Sequence, residues 1–542
     1  MAGLSSLALG VGAVFFFFLL IRKVLKAGRN STHPPLPPGP KGLPIVGNLL
    51  DLPKPGDYEA KHWIKHKDIY GPISSITVLG QTMVIVNDAS IALDMLEKRA
   101  VKNSSRPHLL FGGEIVGWGH SLGLVRYGDR FRKHRKNIAM TIGSTMAAAQ
   151  YKDLQEAEAG HFLLHILNNP QGLFGHIRNL DEHANKAKRE AASVVLKMIY
   201  GYNVDQFKAD HLVEAIEKAM DGFGQASVPG TFMVDIFPWM RYLPEWFPGT
   251  GWKQTAKEWR EDLRVIVEKP FAFTKQQMAS GRDTSSITCN LLGGDHDKKP
   301  EDEYLTKWTA LSLYAGGADT TVSTVACFFL AMSLYPEVQR KAQAEIDQVV
   351  GQDRLPTFSD RPNLPYIEAL LMELLRWQPV VPMSIPHMSS EEDIVNGYYI
   401  PKESVILPNI WYFTHDPKLY HLPMEFKPER FISTEGNTPE MDPNRFAFGF
   451  GRRICPGRVL ADNALFITIV QALSALEISK AVIDGQVVEP KISLLGGIVS
   501  HPEPFETSVK PRSAHHEALI RAVEKTYPWE RSDQGMLEKM EV

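Results

Sequence analysis

The most chemically loaded stretch of the chain is Phe448-Gly449-Phe450-Gly451-Arg452-Arg453-Ile454-Cys455-Pro456-Gly457. A cysteine thiolate is both a nucleophile and a soft metal ligand. Backbone N–H groups and the positive end of a helix lower a cysteine pKa and favour it. Cys455 has both in prospect, because a helix-like apolar run, Val459 to Leu473, follows it at once. Gly451 permits a tight turn, and Gly457 lets a flat ligand approach the backbone. Arg453 offers a fixed cation for a carboxylate. Taken alone, a cysteine is most often a small buried hydrophobe. The density of special residues here argues instead for a loop that ligates haem and pairs with a propionate.

Three other stretches bear on the same chemistry. Ala315-Gly316-Gly317-Ala318-Asp319-Thr320-Thr321 lies inside a long apolar-periodic segment. Glycine inside a helix costs about 1 kcal/mol relative to alanine. A helix that keeps two of them has a kink, a packing notch or a ligand close by. Asp319 and Thr320 beside them are groups that relay protons. Tyr127 to Lys136 is basic through Arg130, Arg132, Lys133, Arg135 and Lys136. Its ordinary reading is a solvated face, and its sharper one is docking of an acidic electron donor steered by charge. The spacing E-x-x-R occurs three times, at Glu261–Arg264, Glu337–Arg340 and Glu373–Arg376. Each suits a surface ion pair on a helix worth about 0.2–0.5 kcal/mol. Only the third is followed by Phe426-Lys427-Pro428-Glu429-Arg430-Phe431 and then by the cysteine loop.

The F-x-x-G-x-R-x-C-x-G pattern closely resembles the haem-ligating loop of the cytochrome P450 family, and the resemblance covers about Pro34 to Arg512. It implies heme b (iron protoporphyrin IX) with Cys455 as the axial iron ligand, against Phe448, Gly449 and Gly457. By the same match Arg453, Arg135 and His387 meet the propionates. The helix before Arg135 departs from the family pattern W-x-x-x-R, since Phe131 stands at the tryptophan position. Phenylalanine lacks the indole N–H that would donate to a propionate. Thr320 would hydrogen-bond dioxygen and Asp319 would help deliver protons for O–O cleavage, with the thiolate pushing electron density the same way. Glu373, Arg376 and Arg430 match a buried triad that locks the loop, which makes them structural rather than catalytic.

The elements that must position these residues are mostly helical. One helix is expected from about Glu303 to Leu334, a second from Pro336 to Gly351, and a third from near Pro365 carrying Glu373 and Arg376. Two hairpins are expected: Pro72–Leu79 with Thr82–Val86 around a glycine-first turn at Gly80-Gln81, and Ile394–Ile400 around Asn396-Gly397. The fold class is therefore mainly α with a small β-sheet region, the cytochrome P450 fold by resemblance. Residues 41–512 form the haem-thiolate catalytic domain. Pro34 to Pro40 is a stiff connector in a basic, proline-rich linker at 22–40. Residues 513–542 are an appendage, mobile at its end, with Ala518, Leu519, Ala522 and Val523 on one side of a short helix.

Bulk properties narrow the classes. The chain has 542 residues, a formal net charge of −3 and three widely spaced cysteines. No basic excess marks a nucleic-acid binder, no C-x-x-C marks a zinc site, and a disulfide framework is excluded. From Gly3 to Ile21 no side chain is charged, and Arg22, Lys23, Lys26 and Arg29 follow. About 20 apolar residues span a bilayer as a helix. A cleaved signal peptide is the rival reading, but it needs a basic start, and here the basic flank comes after the run. Residues 3–21 are therefore expected to be an uncleaved transmembrane anchor, single-pass in the endoplasmic reticulum membrane. The positive-inside rule then faces the catalytic domain to the cytosol. That topology predicts no glycan at the sequons Asn30 and Asn103.

No dinucleotide fingerprint or P-loop is present, so electrons must come from another protein. For a membrane-anchored member of this family the partner implied is NADPH–cytochrome P450 reductase. The small hydrophobic substrate would be walled by Leu109-Leu110-Phe111, by Tyr314 and Ala315, by Val380 to Ile385 and by Ile498-Val499. His108, Glu114 and Ser384 are candidates for reading an oxygenated group, although a solvated or structural place is the plainer reading of each. The stretches Pro37 to Asn48 and Phe448 to Gly457 look like filamentous-fungal members, similar to the O-methylsterigmatocystin oxidoreductases of secondary metabolism. The leading expectation is a monooxygenase using dioxygen and two electrons. A haem-thiolate isomerase or dehydratase, a xenobiotic or lipid hydroxylase, and a haem carrier are the alternatives. A cysteine hydrolase lacks patterned His and Asn partners for Cys455.

Overall fold

The computed structural model describes residues 33–540 apart from 55, 171–188, 207, 228–230, 283–284, 294–299 and 437. The expected anchor at 3–21 and Asn30 lie outside the described residues. Ten helices frame the site and are numbered in chain order. They are α1 (Asp129–Ile142), α2 (Lys152–Asn168), α3 (Arg189–Tyr200), α4 (His211–Ala226), α5 (Trp252–Ala279), α6 (Pro300–Leu334), α7 (Pro336–Val349), α8 (Pro365–Trp377), α9 (Arg458–Ala475) and α10 (Ala514–Thr526).

The three helices expected in the middle of the chain are α6, α7 and α8. Proline opens α7 and α8, where its missing N–H costs nothing. Past the end of α7, Gly351 takes φ +82°. Both α6 and α9 are apolar on nearly every side, the pattern of a helix buried all round. Val325 to Met332 and Ile469 to Leu473 are all buried. Each is long and apolar enough to cross a membrane, yet most of that stretch is buried inside the protein. With Leu163 and Leu164 of α2, Val338 and Ala342 of α7 and Leu370 and Leu374 of α8, they form the main core.

The main sheet has four strands in the order β1 (Ile73–Val78), β2 (Gln81–Val86), β6 (Val405–Pro408), β3 (His387–Met388). β1 and β2 pair antiparallel with Val78 opposite Gln81. Their turn sits one residue earlier than expected. Leu79 and Gly80 both take positive φ, +49° and +88°, as a primed turn requires. The hairpin of β4 (Asp393–Val395) and β5 (Tyr398–Ile400) turns on Asn396-Gly397 as expected, at φ +49° and +81°. Asn103 is 1% exposed and its amide donates to Met95 O, so burial alone bars a glycan there.

Two terminal expectations change. The proline segment does not stand off the body. Pro37 O and Pro38 O accept from Ser75 at 2.6 and 2.9 Å, and Pro35 O accepts from Tyr399 N at 2.9 Å. A Cβ at Gly39 would lie 1.8 Å from Ser75 O, so glycine is needed for this contact. The C-terminal segment is also docked. α10 packs on α2 through His516, Ile520 and Val523, whereas Ala518 and Ala522 are exposed. Beyond it Trp529 stacks on His161 at 3.9 Å, Asp533 accepts from Asn203, and Leu537 is 4% exposed. The expected face held Val523, which meets Gly160, but it is turned toward His516 and Ile520, because tertiary contact with α2 and not the period alone selects the buried side.

Candidate active site

The cysteine loop closes because two glycines adopt left-handed backbone. Gly449 and Gly451 have φ +75° and +49°. A Cβ on Gly451 would meet Leu96 O at 2.2 Å, so only glycine lets the loop seat on that segment. Cys455 N donates to Phe448 O at 2.7 Å, which fixes the cysteine over its own loop. Gly457 is the N-cap of α9, and its N–H bonds to the Cys455 sulfur. The expectation of a lowered thiol pKa is reversed. Burial pushes the Cys455 thiol up and outweighs the Gly457 N–H, Arg135 and Arg458, which pull it down. A coordinating metal is what deprotonates such a thiol.

A cavity of about 410 Å³ lies between this loop, α9 and α6. It brings together Cys455, Phe448, Gly449, Gly457, Arg453, Arg135, His387 and Thr320. Among the lining residues that escaped sequence reasoning, one is a cation. Arg106 is 4% exposed and follows no pattern; only its place in space reveals it.

Among the described residues, no carboxylate partners the arginines on this wall. Arg453 donates to the carbonyls of Ser104, Leu122 and Val125, and Arg106 to those of Gly123, Ile385 and Pro386. Arg135 donates to Ile454 O at 2.6 Å, and His387 Nδ1 to Asn103 O at 2.8 Å. Burial, then repulsion from Arg106 and Arg135, brings the Arg453 pKa down to about 8. Burial alone brings Arg106 to about 9. His387 is held well below its usual range by burial and by both arginines. Buried like charges with only neutral partners are costly. An anionic ligand on the cavity would relieve that cost. Heme b carries two propionates and takes a cysteine sulfur, and Cys455 lies on the same cavity, so these residues would fit it.

On α6, Thr320 donates its hydroxyl to Gly316 O at 2.7 Å, and Thr321 to Gly317 O at 2.8 Å. A Cβ on Gly316 would meet nothing within 4 Å, because that face opens on the cavity. Asp319 does not line the cavity. Its Oδ1 is 3.0 Å from Nε2 of His501, a residue sequence reasoning also missed.

The expected substrate walls need revision. Val380, Val381, Ser384 and Ile385 do line the cavity. Phe111 instead stacks on Phe232 at 3.5 Å, and Tyr314 is buried in the same cluster. α6 contributes Ser312, Leu313, Gly316 and Gly317, and α3 adds Val195, Met198 and Ile199. Ile498 and Val499 are not among the lining residues. His108 and Glu114 pair with each other at 3.3 Å on the surface, and Arg241 also binds Glu114.

Of the three E-x-x-R spacings, only Glu373–Arg376 is buried, both side chains at 0% exposure. Glu261–Arg264 is an exposed surface pair. Arg430 Nε is 3.1 Å from the same Glu373 carboxylate. Arg376 also donates to the carbonyls of Thr414, Pro423 and Glu425, and Arg430 to Glu440. The set pins α8 to the chain that leads into the cysteine loop, and none of it touches the cavity.

Comparison with known proteins agrees with this geometry. A family-wide sequence profile described as Cytochrome P450 matches residues 37–509. The chain is 49% identical, over 91% of its length and 89% of the relative's, to cytochrome P450 monooxygenase claR of Ampulloclitocybe clavipes. It is 46% identical to cytochrome P450 monooxygenase 208 of Postia placenta, over 96% of this chain and 98% of that one. It is 40% identical to the O-methylsterigmatocystin oxidoreductase of Aspergillus flavus, over 93% of each. The family uses heme b with a cysteine thiolate as axial ligand. With its profile spanning most of the chain and its relatives named as monooxygenases, this protein belongs to the cytochrome P450 family and is an oxidoreductase.

Proposed function

We propose that the protein is a membrane-anchored monooxygenase. It takes electrons from NADPH–cytochrome P450 reductase and inserts one oxygen atom of dioxygen into a small hydrophobic substrate of fungal secondary metabolism. The observation that carries this reading is one cavity, mostly apolar, holding Cys455, four basic side chains and Thr320. A haem carrier has no need of an apolar chamber beside a threonine hydroxyl. The relative named O-methylsterigmatocystin oxidoreductase supports the substrate class.

When bound, heme b supplies the redox centre at which dioxygen is reduced. The chain's own groups do the rest. Cys455 would hold the haem iron through sulfur. Arg106, Arg135 and Arg453 would neutralise the propionates, with His387 beside them. Thr320 holds a hydroxyl proton on the cavity face, and Asp319 beside it holds a carboxyl group through which a proton is resupplied. Val195, Met198, Val381 and Ile385 exclude water from the reacting carbon. The catalytic domain is taken as 41–512. Residues 3–21 anchor it in the endoplasmic reticulum membrane, with the body in the cytosol. Trp239, Tyr242 and Trp246, 60–81% exposed, suit the headgroup layer beside such an anchor.

The test is reconstitution with the reductase. Reduced, carbon-monoxide-treated protein should show the red-shifted absorption a thiolate ligand imposes, and Cys455→Ser should lose it. A biosynthetic intermediate from the neighbouring genes should be oxidised with NADPH consumption, and Thr320→Ala should divert that NADPH to peroxide. Product formed without NADPH would make the protein an isomerase or dehydratase.

A further inference from the structure

We infer that His501 is a positioning residue for Asp319, holding the carboxyl group that resupplies protons at the distal helix; this rests on the proposed role of Asp319. His501 is 4% exposed and comes from a loop far downstream of α6. Its Nε2 lies 3.0 Å from Asp319 Oδ1. A carboxylate oxygen only accepts, so Nε2 carries the hydrogen and donates.

The imidazole is not free to drift. His501 O accepts from Leu495 N at 2.8 Å, which closes the loop on itself. The preceding residue ties that loop to two walls of the cavity. Ser500 N donates to Val380 O at 2.8 Å, and Ser500 O accepts from Ser323 Oγ at 2.5 Å. Ser323 lies one helical turn after Asp319, on the same face of α6. Two points on α6 therefore clamp one loop, and the second is the Asp319 carboxylate.

The ring's other nitrogen decides between two roles. Nδ1 is buried and has no hydrogen-bond partner among the described residues. Among the described residues no group meets Nδ1 to pass a proton on through the ring. What remains is a single N–H aimed at Asp319. The Asp319 side chain is 44% exposed, and that N–H favours the orientation in which Oδ1 faces the loop. Thr320 and Thr321 spend their hydroxyls on helix carbonyls. Among the residues of this turn, the carboxylate's orientation is thus set from outside the helix. A hydrogen bond to a charged group is enough to hold one rotamer roughly tenfold over its rivals.

The test uses full-length protein with its reductase and needs no substrate. Two quantities are read: the C–O stretching band of the reduced carbon monoxide complex, which senses distal polar groups, and the solvent deuterium isotope effect on NADPH oxidation. His501→Leu should shift the band and lower the NADPH oxidation rate roughly tenfold, with a larger isotope effect. His501→Gln, which restores an N–H near the Nε2 position, should bring both back toward wild type. Asp319→Asn should move the same two quantities. If Asp319→Asn is active in this sense while His501→Leu matches wild type, the positioning role is wrong and the Asp319 role stands. If both match wild type, both assignments fall. Equal defects in the Leu and Gln variants would mean that packing, not the N–H, matters, and would overturn the inference. Should His501→Leu not fold, Ser323→Ala loosens the same loop; an unshifted C–O band there counts against it.

Discussion

The Arg453 guanidinium lies 3.9 Å from the centroid of the Phe131 ring. Phe131 stands where family members present an indole, and sequence reasoning saw only the loss of an N–H. The ring face is kept, and it meets a half-buried cation whose other partners are carbonyls. A desolvated cation–π contact is worth about 2 kcal/mol. Phe131 therefore steadies the arginine that faces the propionates, although it makes no bond to them itself.

Replacing Phe131 by Leu keeps an apolar side chain but removes the ring face. Haem should then leave roughly tenfold faster, the equivalent of about 1.4 kcal/mol. Haem transfer to an excess of apomyoglobin reads this directly. An unchanged transfer rate would show that the ring only fills space.

Glu373→Ala should leave Arg376 and Arg430 buried without their shared carboxylate. Removing one partner of a buried ionic set costs about 3–5 kcal/mol. The variant should accumulate little haem-loaded protein and lose its carbon monoxide spectrum at a much lower temperature. Glu261→Ala, at an exposed pair of the same spacing, should change the midpoint hardly at all. Similar losses in both would contradict the buried triad.

Acid should destabilise the fold through His134 and His415. Burial brings their pKa values to about 4 and about 3 from the ordinary 6.5. Both are neutral in the fold and take up a proton on unfolding once the pH is below 6.5. Their stability contribution is thus intact above 6.5 and declines as the pH falls toward 4, by up to about 1.4 kcal/mol per pH unit for each. His134 Nδ1 lies 2.8 Å from Thr309 Oγ1, a contact glutamine is able to keep. His134→Gln should flatten the pH dependence of the unfolding midpoint between pH 6.5 and 4. A slope equal to wild type would remove His134 from this account.

Leu537 is 4% exposed although it lies almost at the end of the chain. It packs in the cluster that holds α3, α4 and α5. Leu537→Ala should cost about 2–3 kcal/mol, at the low end for a buried leucine because a terminal segment relaxes into the space. Limited proteolysis should cut the variant between Pro528 and Leu537 faster than wild type. Equal cleavage rates would mean that the tail is not held in solution.

The sequence by itself determined what depends on neighbours in the chain. The cysteine loop was legible because Gly451, Arg453, Cys455 and Gly457 act within one turn. The central helices were legible from period and proline. The Asn396-Gly397 hairpin was legible because a primed turn demands those residue types. Thr320 was legible as a hydroxyl beside two glycines in a helix.

Tertiary structure alone decided what depends on distant partners and on the removal of water. It selected Glu373–Arg376 from three identical spacings, since only burial separates a lock from a surface pair. It added Arg106 and His501, which carry no local signal because their partners lie elsewhere in the chain. It moved the substrate wall from Phe111 and Tyr314 to α3 and to another face of α6. It raised the Cys455 thiol where the helix end alone would lower it, because desolvation of the loop outweighs the dipole. The chemistry could be named from one loop, but the cavity in which it happens is assembled from segments that meet only when the chain folds.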